Sequence, residues 1–172
     1  MDINESAMPF TPFHFGPHAS VAFPLNRWID IPVFLAANIA VDMEPFIVMN
    51  WSLDYPLHGY CHTLLFGGLI GVLLGAASFP FCRVISRTMV TIKLPYTATR
   101  MKMIISGLIG SWLHIFFDAP LYYDIRPLFP FSKNPFLGIV STDTMYIFCS
   151  LMFIPAVAAY FLVVGSLKNR NI

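Results

Sequence analysis

Two long stretches without a single Lys, Arg, Asp or Glu constrain this chain more than any other feature: His62–Cys82 (HTLLFGGLIGVLLGAASFPFC) and Thr144–Leu167 (TMYIFCSLMFIPAVAAYFLVVGSL). The hydrocarbon core of a bilayer, about 30 Å thick, takes roughly 20 apolar residues in helix. Inside it every backbone polar group must be satisfied within the protein, so such runs become transmembrane helices in which Gly and Pro are tolerated. Two further runs read the same way. Met103–Ala119 is charge-free up to Asp118, and Pro120 disfavours helix at the residue before it, so a helix is expected to stop there. Ile31–Met43 is interrupted only by Asn38 and Asp42, and Pro45 is expected to close it. Phe13–Leu25 is apolar but only about 20 Å long as a helix. With Gly16, Pro17 and Pro24 inside it, it reads as a short tilted, re-entrant or interfacial helix. The expected fold is therefore all-α: a polytopic membrane helical bundle with four main transmembrane helices plus a short N-terminal apolar helix, one domain over residues 1–172.

Charge excludes one class of partner and orients the bundle. A net charge of +1 offers no field for steering a polyanion, so no nucleic acid partner is expected. Arg83, Arg87, Lys93, Arg100 and Lys102 fall in one connection with no acid, which places that side in the cytoplasm. Counting crossings puts Arg27, Lys168 and Arg170 there too and leaves Arg126 and Lys133 opposite, so the Met49–Cys61 and Asp124–Asp143 connections are non-cytoplasmic. Asp2 and Glu5 ahead of Pro9, Pro12 and Pro17 do not make a cleaved leader, so the first apolar segment is expected to remain, in a plasma (inner) membrane protein. Cys61, Cys82 and Cys149 are scattered, with neither disulfide nor thiolate-cage spacing. Trp28, Trp51, Tyr122 and Tyr123 read as interfacial anchors, and the Gly67–Gly68 and Gly71–Gly75 spacing as close helix packing.

The polar residues inside this apolar sequence are few and clustered. Pro56 suits a first helical turn, which would place His58 and His62 four residues apart on one helix face, able to grip one metal ion. His114 and Asp118 share that spacing at the outer end of their run, and Asp42 with Glu44 ends the Ile31–Met43 run on the same side. If Phe13–Leu25 crosses with its start outside, His14 arrives there as well; His18 is set aside because Pro17 spoils a regular helix between them. Ionisable groups at membrane depth mark metal sites, proton relays or ion paths. GxSxG, P-loop and GxGxxG motifs are absent from the sequence.

The ordered series MPFTPFHFGP (Met8–Pro17), AVDMEP (Ala40–Pro45), PLHGYCHTLLFG (Pro56–Gly67) and HIFFDAPLYYDIRPLFPFSKNPFLG (His114–Gly138) resembles the YdjM-like integral-membrane proteins of bacteria and archaea, a group of metal-dependent hydrolases. That group is distantly similar to the zinc-dependent phospholipase C and P1-nuclease superfamily. The resemblance implies His14, Asp42, His58, His62, His114 and Asp118 as metal ligands, with Glu44 behind them or substituting for one. It also implies that Arg126 holds an anionic group of the substrate. Where YdjM-like members read HRGxTHS this chain reads HGYCHT, and Tyr122 stands where a His is expected in close relatives. The implied function is hydrolysis of a phosphoester or lipid-type substrate by water activated at a divalent metal, zinc before manganese or iron, with Asp42 or Glu44 orienting or deprotonating the water. A membrane lipid or small molecule would be the substrate. Two other readings of the same cluster are a small ion or proton transporter and a non-catalytic bundle stapled by metal.

Overall fold

The structure, a computed structural model, describes residues 11–168 and the side chains of residues 12–166. Met8–Phe10 of the first motif and Arg170 lie outside the described residues, as does the side chain of Lys168. All regular structure among the described residues is helical: α1 (Phe15–Ala22), α2 (Ile31–Asn50), α3 (Leu64–Ser78), α4 (Cys82–Thr91), α5 (Arg100–Asp118), α6 (Thr142–Leu151) and α7 (Phe153–Lys168). Most starts are chemically marked. Asp30, Thr63, Thr99 and Ser141 each occupy the position before a helix, and their side chains accept from the third backbone N–H beyond, in α2, α3, α5 and α6 respectively. Short 3-10 turns precede α1 and α3 and join α3 to α4.

Three stretches are long and apolar enough to cross a membrane: Ile31–Asn50, Leu64–Thr91 and Thr142–Ser166. The expectation of four main spans is thus met by three. The run at Met103–Ala119 does form a helix of membrane length, α5, but Arg100, Lys102 and Asp118 lie inside it. Ser106, Gly107, Gly110, Ser111 and His114 of α5 are buried, because α5 packs against both α3 and α2 and shows less of itself to the surroundings. Two of the three stretches, Leu64–Thr91 and Thr142–Ser166, do the opposite, while α2 is buried about as much as α5. Leu65, Leu69, Leu73, Ile154, Phe161 and Leu162 are half to three-quarters exposed, an apolar surface suited to lipid.

Two local expectations are corrected. Pro45 does not end α2, which runs on to Asn50 with Pro45 buried inside it; a proline removes one ladder bond, a loss that membrane helices tolerate when neighbouring groups take up the freed carbonyl. Pro56 starts no helix. The chain from Trp51 to Gly59 is irregular, Tyr60–His62 is a 3-10 turn, and α3 begins only at Leu64. Pro120 acts as expected, since α5 stops at Asp118.

Glycine sets the α3–α5 contact. A Cβ on Gly71 would strike the carbonyl oxygen of Gly107, one on Gly107 would strike that of Gly71, and one on Gly75 would strike that of Met103. The backbones therefore touch directly, as small residues allow in membrane bundles. Hydrogen bonds then sort the connections to two ends. At one end Lys102 Nζ donates to the carbonyl of Asn26 (2.8 Å) and Tyr96 Oη to Asp30 (2.9 Å). At the other, Leu64 N donates to the carbonyl of Pro127 (2.9 Å) and His58 N to Asp124 (2.9 Å).

Candidate metal centre

The end opposite the basic connection holds the polar residues. Asp42 from α2, His62 from the 3-10 turn before α3, and His114 with Asp118 from α5 offer one ligand atom each, all within 4.8 Å of one another. His114 Nε2 lies 3.0 Å from both Asp42 Oδ1 and Asp118 Oδ2, and His62 Nε2 lies 3.8 Å and 3.9 Å from the same two atoms. Two ligands about 2.0–2.1 Å from a tetrahedral zinc ion stand about 3.4 Å apart, in the middle of this range.

Two further side chains fix which nitrogen each imidazole presents. His62 Nδ1 is 3.2 Å from Glu44 Oε2, and His114 Nδ1 is 2.7 Å from Asn38 Oδ1. Both partners are acceptors, so each Nδ1 carries a proton, and the neutral imidazole then presents a lone pair at Nε2. Glu44 is itself held by Cys61 N (3.1 Å) and by Tyr55 Oη (3.3 Å). The Nε2 atoms of His62 and His114 and Oδ1 of Asp118 are buried and have no hydrogen-bond partner among the described residues. Unpaired acceptors in a buried site are costly. A divalent cation held by the two Nε2 atoms, Asp42 Oδ1 and Asp118 Oδ2 would satisfy both nitrogens together, so the donor set fits a metal ion. Two nitrogens and two carboxylate oxygens suit zinc and also manganese or iron.

The other expected ligands stand beside this group. His14 arrives from the end of the 3-10 turn before α1. Its Nε2 is 3.3 Å from Asp118 Oδ1, the oxygen that faces away from the four-residue set, and its ring sits 4.9 Å from that of His114. His18 lies one turn on in α1, which runs regularly through Pro17, but its nitrogens face the carbonyls of His14 (2.8 Å) and Gly110 (3.2 Å) and so tie α1 to α5. His58 does not share a helix face with His62, and the expectation that it does is corrected. Its Nδ1 lies 3.1 Å from Asp124 Oδ1, its backbone N–H reaches the other oxygen of Asp124, and its ring stands edge-on to His62 at 4.7 Å. Burial works against the Asp124 charge, but the hydrogen bonds from His58 outweigh it and hold that carboxyl below the usual carboxylate range. Arg126 is exposed and makes no ion pair among the described residues. Tyr122, expected at the interface, is only partly exposed. Its ring stacks on His58 at 4.1 Å, and burial, then the Asp118 carboxylate, push its phenol up so that it stays a donor. Burial and then Glu44 push the Cys61 thiol up to about 12, which disfavours the thiolate.

Asn38 and Asp124 were not singled out from sequence. Asn38 had a signal, since it is one turn before Asp42 in an otherwise apolar run. Asp124 had none, because its partner is 66 residues away. Asp124→Ala is expected to cost about 1–3 kcal/mol by leaving both His58 donors unpaired. That loss reads as a lower thermal midpoint in detergent with metal content unchanged; loss of metal instead would make His58 a ligand.

No protein-family model, curated protein or solved structure matches this chain.

Proposed function

We propose that this protein is a membrane-embedded, metal-dependent hydrolase of phosphoesters, with a lipid-type substrate the best fit, of the kind the YdjM-like resemblance implies. The observation that carries this reading is the convergence of the buried Nε2 atoms of His62 and His114 with the carboxylates of Asp42 and Asp118, brought from α2, α5 and the turn before α3 to one point. Exposure there is uneven: the Asp42 side chain is 18% exposed, whereas those of His62, His114 and Asp118 are at most 4%. Asp42 therefore marks the mouth of the site. Asp42, His62, His114 and Asp118 would hold the ion, which when bound makes water a nucleophile near neutral pH and offsets charge on a phosphoryl oxygen.

The chain's own groups do the rest. Glu44 and Asn38 keep the two imidazoles in the tautomer that presents Nε2 inward. Asp42, the more exposed of the two carboxylates in the ligand set, orients water and accepts its proton. Arg126 stands on the loop at this end of the bundle, where an anionic substrate group would approach. The excess of Lys and Arg in the basic connection supports an orientation with this mouth on the non-cytoplasmic side of the plasma membrane, within reach of lipid headgroups.

The test is turnover of bis(p-nitrophenyl) phosphate and of a short-chain phospholipid by detergent-purified protein, chelated and then reloaded with zinc or manganese. Reloaded protein is expected to hydrolyse at least one of them, chelated protein neither, and Asp42→Ala to fall by about 100-fold or more. Metal-replete protein that cleaves no phosphoester but conducts cations into vesicles would overturn the reading in favour of a transporter.

A further inference from the structure

The opposite end of the bundle carries a second polar feature that the metal centre does not use. Between residues 55 and 117 the sequence has no Asp or Glu, yet five cations fall between residues 83 and 102. Two of them, Arg83 and Arg87, lie one turn apart on α4 and line an open cavity of about 440 Å³ together with Cys82, Ser86, Tyr96 and Ala98. Among the described residues neither guanidinium makes a hydrogen bond or an ion pair. Asp30, the acid at this end, is fully buried, and its oxygens are taken by Tyr96 Oη and Val33 N. The cavity thus presents two unpaired forked donors and a serine hydroxyl, with no carboxylate among its lining residues. That is the chemistry of a phosphate-group receptor, since guanidinium donors match phosphate oxygens in pairs.

The position of α4 selects the source of that phosphate. α3 and the 3-10 turn after it, 15 and 3 residues, already span about 28 Å against a hydrocarbon core of about 30 Å, and the apolar run continues to Thr91. Its last turns, which are α4, then stand at headgroup depth. Ile85 and Met89 turn inward and pack on the cluster formed by Ala22, Ile29 and Phe34. Val84 and Val90 are 60% and 68% exposed, suited to an interfacial helix. We propose that Arg83 and Arg87 form a binding site for the phosphodiester headgroup of an anionic phospholipid, distinct from the metal centre and independent of whether that centre is catalytic.

Native mass spectrometry of the full-length protein from mixed micelles of phosphatidylglycerol and phosphatidylcholine tests this. The wild type is expected to retain phosphatidylglycerol preferentially, and Arg83→Ala/Arg87→Ala to retain it about tenfold less. Lys93→Ala/Arg100→Ala removes the same charge from the same connection but not from the cavity, and is expected to bind as the wild type does. All substituted side chains are exposed, and an unchanged thermal midpoint confirms that each variant is folded. Equal loss in the two double variants would overturn the site, because bulk charge would then explain retention. Inorganic phosphate displacing the lipid and binding the wild type as tightly would overturn the lipid as occupant and leave a free phosphate site.

Discussion

Asp118→Ala is expected to strip the protein of divalent metal. Asp118 is the only one of the four candidate ligands that touches His114, His62 and His14 at once, at 3.0, 3.9 and 3.3 Å. Without it, the set falls from four ligand atoms to three, Asp42 alone supplies carboxylate, and one negative charge next to the ion is lost. His62→Ala removes the contribution of the turn before α3 and is expected to do the same. Both should lower affinity by more than about 100-fold, since changes to groups that only orient a ligand already cost 10–100-fold. Asn38→Leu supplies that graded case: it leaves His114 as a ligand but takes away the acceptor on its Nδ1. Elemental analysis of protein purified without chelator gives the readout, with the order wild type, then Asn38→Leu, then the two ligand variants. Full metal in both ligand variants would sink this ligand set. No metal in the wild type, even after reloading, would show that protons satisfy the bare acceptors.

How far the sequence anticipated this site depends on the range over which its partners are fixed. His114 and Asp118 were legible because one helical turn sets their spacing, whatever the rest of the chain does. Asp42 and Glu44 were legible as acids in an apolar run, although the stop expected at Pro45 came from a rule for helices in water. Inside a bundle the freed carbonyl need not face solvent, and α2 continues. The pairing of His58 with His62 failed for the opposite reason. Four-residue spacing is informative only within a helix, and Pro56 permits a first turn without requiring one. The chain instead keeps His58 for Asp124, a contact that only tertiary packing could reveal. The number of spans shows the same limit. Length and polarity located α5 correctly, but its burial between α2 and α3, which lets it carry His114 and Asp118, is a property of its neighbours.

That burial makes Gly71→Val the substitution with the largest expected effect on the fold. A side chain at 71 meets the Gly107 carbonyl oxygen and Ser111 Oγ. A backbone atom cannot rotate away as a flexible side chain can, so α3 and α5 must separate. Overpacking of well-packed cores costs about 1–3 kcal/mol, and a backbone obstacle places this case at or above about 3 kcal/mol. Gly165→Val in α7 provides the control, because nothing lies within 4 Å of its added Cβ, and its thermal midpoint in detergent should match the wild type. The consequence for the site follows from connectivity. His62 is two residues before α3, while His114 and Asp118 ride on α5, so the glycine contact fixes the distance between the two halves of the metal set. Gly71→Val should therefore lose metal in whatever fraction stays folded, although it touches no ligand. A variant with a depressed midpoint and full metal content would show that the ligands are held by the α2–α5 contact alone.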